Sequence, residues 1–424
     1  MLALEGNVET AGTRSLQAEG PGAGHATGSL RFVAVGTSLL ALAFVFQVLL
    51  LVVTGRGSER RDFVSYWAAG QQFVHHENPY DAGAVLRLEQ SQGFPADKQA
   101  LIMRNPPSAL MLVAPLGFLG YRMAARLWSA LLLGCLLGSV RLLWGMHGRP
   151  ASRFRLMGYP FGPMFVCLLF APALACLFSG QTALFALLGL VLFLRFHRSH
   201  QFLAGLSLWL CALKPHLFLP FAVVLLVWMV YTRSYPVLAG AIVALSASTA
   251  AALVIDPACL GQYTQMMQTA GIEREFIPCL GMALRLGIPP HAAWQQYAPA
   301  AVGCVWAVSY YWRRRDDWDW MEHGALLTLV SIFVSPYAWL TDQALAVPAL
   351  LQVALRTSFR SLVELAFASF VIEMEIVCMI DLHSAMYVWT APIWLVWYVY
   401  ALRHAEIEPG VTSPCAAPAP LSAG

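Results

Sequence analysis

The sequence predicts an all-α polytopic integral membrane protein with about twelve transmembrane helices. Hydrophobic residues make up 58% of the chain and charged residues only 12%, about half the charged share of soluble domains. The apolar residues also fall into long runs separated by short loops, many of which carry arginine. Together these observations exclude an ordinary soluble enzyme.

The first apolar run, residues 32–53, matches the roughly 30 Å hydrocarbon core of a bilayer. The preceding segment lacks a basic stretch and a nearby cleavage site, so the run reads as a retained span rather than a signal peptide. Further runs lie at 127–144, 160–178, 183–196, 202–213, 217–231, 236–255, 293–312, 324–339, 343–355, 361–380 and 385–402. Several fall short of the roughly 20 residues that an upright helix needs to cross. The expected organisation is a disordered cytoplasmic tail at 1–31, a membrane domain at 32–403 and a second disordered cytoplasmic tail at 404–424.

Sidedness follows from arginine. Arg149, Arg153 and Arg155, then Arg195 and Arg198, Arg233, Arg313 to Arg315, and Arg356 with Arg360 occupy alternate loops. By the positive-inside rule these loops and both termini are cytoplasmic. The segment 54–126 is then a large outside loop; loops that long escape the rule despite eight basic residues. The apolar run 105–120 cannot cross without inverting everything after it, so it is expected to be interfacial or re-entrant.

This layout gathers the unusual polar residues on the outer side: Asp62, Gln181 in "SGQT", Lys214 and His216 in "LKPH", and Asp342 in "WLTDQ". A polar or charged group beside a membrane segment is costly and marks a candidate functional site. Asp62 precedes an apolar pattern of helical spacing at Phe63, Tyr66, Trp67, Gly70, Phe73 and Val74, which predicts an amphipathic helix on the membrane surface. Asp62 is therefore either an N-cap or a general base for a membrane-bound alcohol. Lys214, one of only two lysines, is either a snorkelling cation or a phosphate partner. Gln181 either caps a tight turn or contacts substrate. Asp342 has no basic residue close in sequence, and Pro336 and Pro348 predict broken helices around it.

Other features carry less. Asp317-Trp318-Asp319 looks like a metal-holding DxD but sits among three arginines and reads as an interfacial charge run. Glu373 and Glu375 lie near the outer end of a span. His75 and His76 read as solvated, and Cys259 and Cys279 could pair only in an oxidising compartment. No phosphate loop, dinucleotide-binding glycine pattern, zinc motif or nucleophile elbow occurs. No resident cofactor and no nucleic-acid partner are expected; a divalent metal stays open.

The order of short motifs resembles glycosyltransferase family 87. It comprises D-F-x-x-Y-x-x-A-G from Asp62 to Gly70, N-P-Y-D from Asn78 to Asp81 and N-P-P at Asn105 with "PLGFL" after it. Gly180-Gln181, L-K-P at Leu213 to Pro215, and S-P-x-x-W-x-x-D from Ser335 to Asp342 follow. The family more often has Tyr-Pro-Pro at the third motif, and its residue at the Asp342 position varies. The resemblance implies a GT-C-like fold with an outer catalytic cavity in a bacterial-type plasma membrane. It implies inverting transfer of a sugar, mannose, from a polyprenyl-phosphate donor to a lipid or envelope glycan. Asp62 maps onto the base. Independently of the resemblance, Arg60, Arg61, Tyr66, Tyr80, Asp81, Gln181, Lys214, His216, Trp339 and Asp342 are the expected substrate-binding residues, with the leaving phosphate expected toward Lys214 and Arg61 or Arg60. A transporter or flippase, or a non-catalytic envelope-assembly protein, is the alternative; the one-sided polar residues and the absence of an internal repeat argue against transport.

Overall fold

The structure is a computed structural model that describes residues 62–94, 99–147, 167–269, 276–356, 359–377 and 385–405. The expected first span at 32–53, Arg60 and Arg61, the tail 1–31 and residues 406–424 lie outside the described residues. Among the described residues there are sixteen α-helices and no strand. They are α1 (Phe63–Val74), α2 (Ala82–Ser91), α3 (Leu110–Gly117), α4 (Tyr121–His147), α5 (Ala171–Ser179), α6 (Ala183–Phe196), α7 (Gln201–Cys211) and α8 (Leu219–Tyr231). The remainder are α9 (Tyr235–Ile255), α10 (Cys259–Thr269), α11 (Leu280–Gly287), α12 (Ala293–Trp312), α13 (Trp320–Val334), α14 (Val347–Arg356), α15 (Phe359–Val377) and α16 (Thr390–Ala405).

Each apolar run expected within the described residues falls on a helix. Among the described residues three stretches suffice, by length and composition, to cross a membrane: α4, α9 and the Ala385–His404 stretch that contains α16. Shorter apolar helices pack with them: α6, largely buried, lies between α4 and α7, while α7 packs against α9 and α8 against α12. The helices interrupted near proline are those expected. After α13 the chain leaves the α-helix at Ser335-Pro336, passes through a 3₁₀ segment at Leu340–Ala346, and re-enters a helix at Val347.

Helix α1 departs from expectation. Ten of the twelve residues of α1 are buried, Ser65 and Gln72 among them, so it is not a surface helix with one wet face. α3 lies directly against the face that carries Trp67, Gly70 and Val74, roughly opposite Ser65 and Gln72 around the helix. A methyl group on Gly70 would sit 2.5 Å from the Val113 carbonyl oxygen, and one on Gly117 would sit 2.3 Å from the Gly70 carbonyl oxygen. Only two missing side chains allow this approach. Trp67 Nε1 donates to the Leu119 carbonyl (3.1 Å) and Gln71 Nε2 to the Gly117 carbonyl (2.6 Å). These bonds satisfy acceptors that the end of a helix leaves open. In contrast α2 keeps a wet face, and the 105–120 run forms a 3₁₀ turn at Pro107–Ala109 followed by α3, together too short to cross.

Glu89, fully buried on α2, accepts hydrogen bonds from the Leu101 amide at 3.1 and 3.3 Å and so pins the segment that leads to Asn105. Burial pushes its carboxyl up to about 7. The folded state therefore holds this proton more tightly than the unfolded chain, and stability falls as pH rises from the ordinary carboxylate value through about 7. A thermal unfolding series from acidic to mildly alkaline pH should show that slope, and Glu89→Gln should flatten it.

The contact between α1 and α3 generates a second prediction. Gly70→Ala or Gly117→Ala should destabilise the detergent-solubilised protein by about 1–3 kcal/mol through overpacking. Gly134→Ala, where an added methyl meets nothing within 4 Å, should not. Equal melting curves for all three would remove the close approach.

Candidate active site

Four polar side chains far apart in sequence meet where helices begin or end. Asp62 lies at the start of α1, Gln181 in the turn between α5 and α6, Lys214 just after α7, and Asp342 in the 3₁₀ segment after α13. None interrupts a continuous helix. Polar groups placed at helix breaks can reach one another without sacrificing backbone hydrogen bonds along a span.

The turn that carries Gln181 is built around Gly180. Helix α5 ends there in the left-handed conformation (φ 78°), with the amides of Gly180 and Gln181 both donating to the Cys176 carbonyl at 3.0 and 3.1 Å. A Cβ at Gly180 would stand 2.7 Å from Cβ of Phe63, the residue after Asp62. Glycine is thus required by conformation and by space. Trp128 Nε1 donates to the Gly180 carbonyl at 2.7 Å and holds the turn from the other side.

Gln181 then links the cluster. Its Nε2 donates to Asp62 Oδ2 at 2.5 Å, while its Oε1 accepts from Tyr66 Oη (3.0 Å) and Lys214 Nζ (2.8 Å). With two donors on its oxygen the carboxamide has a single satisfied orientation, the one that turns its amide group toward Asp62. Burial, then the neighbouring Asp62 carboxylate, holds the Tyr66 hydroxyl well above its ordinary value, so Tyr66 stays a donor.

Lys214 Nζ also lies 2.5 Å from Asp342 Oδ1, with the two side chains 9% and 0% exposed. Lys214 is therefore a buried partner, not a snorkelling cation. Asp342, which lacks a basic neighbour in sequence, finds one 128 residues away, and its Oδ2 accepts from the Trp339 amide at 3.0 Å. The third hydrogen of the ammonium has no protein partner among the described residues.

Asp62 does not cap α1 with its side chain. The residue occupies the N-cap position, but Ser65 Oγ bonds its carbonyl at 2.6 Å and its carboxylate reaches across to Gln181 instead. Of the two readings that the sequence leaves for Asp62, the side-chain cap is the one the geometry removes. For Gln181 the capping role likewise gives way to a role in the cluster.

The remaining expected residues are placed less centrally. Tyr80 is buried against Tyr263 (centroids 5.5 Å apart) and donates to the Asn105 carbonyl at 3.2 Å. Asp81 is exposed and caps α2 by accepting from the Ala84 amide at 2.6 Å. The His216 ring meets Tyr337 edge to face, and its carbonyl accepts from Ser335 Oγ at 3.1 Å. Trp339 contributes its amide to Asp342. Arg60 and Arg61 lie outside the described residues. Asp319 caps α13 and pairs with Arg198 at 3.0 Å, which accounts for half of the DxD look-alike structurally. Cys259 and Cys279 are both free thiols. Among the described residues no group of three or more His, Cys, Asp or Glu could hold a metal ion.

Two supports were not foreseen from sequence. Asn105 Nδ2 donates to the Leu213 carbonyl at 2.7 Å, fixing the backbone immediately before Lys214. Trp128 fixes the Gly180 turn. Asn105 carries a signal, a polar residue ahead of two prolines and an apolar run; Trp128 on an apolar helix carries none.

These features define a helical, membrane-compatible protein with a buried, charged polar cluster beside a carboxylate that its own helix does not use. The chain belongs to glycosyltransferase family 87, whose family model matches residues 104–355. It is accordingly a glycosyltransferase, with a sugar donor and an acceptor as substrates. The matched stretch contains Gln181, Lys214, His216, Trp339 and Asp342 and begins after Asp62, Tyr66, Tyr80 and Asp81. No curated protein and no solved structure matches the chain.

The ion pair yields a stability test. Lys214→Met alone should cost about 3–5 kcal/mol, because it strands the Asp342 carboxylate in the interior. Lys214→Met combined with Asp342→Leu should recover most of that loss, although the cluster is gone. Denaturation of the purified single and double variants measures both; additive losses would contradict a direct pair.

Proposed function

We propose that this glycosyltransferase transfers mannose from a polyprenyl-phosphate donor to a lipid or cell-envelope glycan acceptor, with inversion, at the outer face of the membrane. In this reading the fold is GT-C-like with about twelve spans, the arginine-bearing loops and both termini are cytoplasmic, and Asp62 is the general base. The observation that carries it is the Asp62 carboxylate, released from capping and aimed by a carboxamide that Lys214 and Tyr66 orient.

The chemistry balances with these groups. An acceptor hydroxyl attacks the anomeric carbon from the face opposite the phosphate as its proton passes to Asp62, and the bond between that carbon and the phosphate oxygen breaks. The polyprenyl phosphate departs with the electron pair. One displacement with one base inverts the anomeric centre. The leaving group needs no acid if cations stabilise its growing charge. Lys214 has one ammonium hydrogen left for it, but its charge is already matched by Asp342. Arg60 and Arg61, which precede Asp62 in sequence, are therefore proposed as the principal phosphate holders, with Lys214 as a hydrogen-bond donor.

Purified protein offered radiolabelled polyprenyl-phosphate mannose and, separately, a nucleotide sugar should transfer label from the lipid donor. Transfer from the nucleotide donor alone would overturn the donor assignment. Asp62→Asn should lose roughly 100-fold or more of turnover while remaining folded, since an amide cannot accept the hydroxyl proton. Near-normal transfer by that variant would move the base elsewhere.

A further inference from the structure

The outer cluster does not account for the opposite end of α12. There the helix finishes in Trp312 and runs into Arg313, Arg314 and Arg315. Along its exposed face runs a groove of about 530 Å³, lined by Val302, Val305, Trp306, Tyr310, Arg313 and Arg314 among others. Val302 and Val305 are 70% and 71% exposed, so this face is open over two turns.

We propose that this groove binds an anionic phospholipid, its phosphate held by Arg313 and Arg314 and one acyl chain lying along Val305 and Val302. The distribution of acids supports an anion here. Neighbouring arginines are matched: Arg315 lies 3.7 Å from Asp316, Arg198 lies 3.0 Å from Asp319, and Arg356 pairs with Glu322. Arg313 and Arg314 have no carboxylate partner among the described residues, although three aspartates follow within five positions of Arg314.

The groove is also preorganised. The Arg314 guanidinium lies 4.3 Å from the centre of the Tyr310 ring, and Tyr310 is stacked on Trp306 with centroids 5.0 Å and planes 19° apart. Tyr310 is itself fixed by a 2.9 Å hydrogen bond between its hydroxyl and His323 Nδ1. A guanidinium laid on an aromatic face gives up little further freedom when it binds phosphate, and its planar fork suits two phosphate oxygens. Rings at the junction of charge and apolar surface match the polarity step between headgroup and chain. Arginine triplets in short loops read as cytoplasmic, which assigns the lipid to the inner leaflet, away from the proposed transfer site.

The test compares the full-length protein in detergent with phosphatidylglycerol or phosphatidylcholine of identical acyl chains, by native mass spectrometry and thermal shift. Phosphatidylglycerol should be retained roughly tenfold better or more, as two arginines near a headgroup imply. That preference should vanish in Arg313→Gln/Arg314→Gln and weaken in Trp306→Ala. It should persist in Arg195→Gln/Arg233→Gln, which removes as many charges from the same side. An equal loss in both double variants would reduce the effect to bulk charge and overturn the site. So would equal stabilisation by inorganic phosphate, which has no chain to fill the groove. Neither readout depends on transfer activity, so the result stands apart from the donor assignment.

Discussion

The buried pair of Lys214 and Asp342 is the interaction on which the site depends. Neither charge could remain inside without the other, since an unpaired buried ion costs several kcal/mol. Once paired, they consume each other's charge, leaving the ammonium to act through its remaining hydrogens. One of those hydrogens fixes the Gln181 carboxamide, and through it the direction from which Asp62 is held. The pair thus works less as a phosphate receptor than as an anchor that joins four separate helix breaks into one array.

That arrangement explains why the polar residues stand where they do along the chain. A lysine or aspartate in the middle of an apolar helix would face lipid or displace packing. At helix breaks, the local carbonyls and amides take part instead: the Trp339 amide on Asp342, the Leu213 carbonyl on Asn105 and the Gly180 carbonyl on Trp128. The backbone irregularities are the price of a polar interior, and each one is compensated by a named side chain.

Much of this was legible in the sequence, and for reasons that can be stated. Apolar runs are set by composition, and each run within the described residues found its helix. Sidedness inferred from arginines placed Asp62, Gln181, Lys214 and Asp342 together, and they do meet. Partner choice was not legible. Asp342 had no basic neighbour within its own segment because ion pairing is a matter of space, and 128 residues separate it from Lys214. The burial of α1 was also missed: its pattern is amphipathic, but Ser65 and Gln72 are buried as well, and no periodicity reveals that the polar face too will be covered. In the N-P-Y-D motif Asp81 caps α2, while Tyr80 reaches the Asn105 carbonyl.

The contact of α1 with α3 has a further consequence. Because Gly70 and Gly117 bring main chain against main chain, no side chain there can yield or rotate to accommodate movement. A slip of one residue along the helix axis, about 1.5 Å, would present a Cβ where only hydrogen now fits. The two glycines therefore act as a registration mark that admits one axial position of α1. The carboxylate at its tip is located to within a fraction of a helical rise by two atoms that are absent.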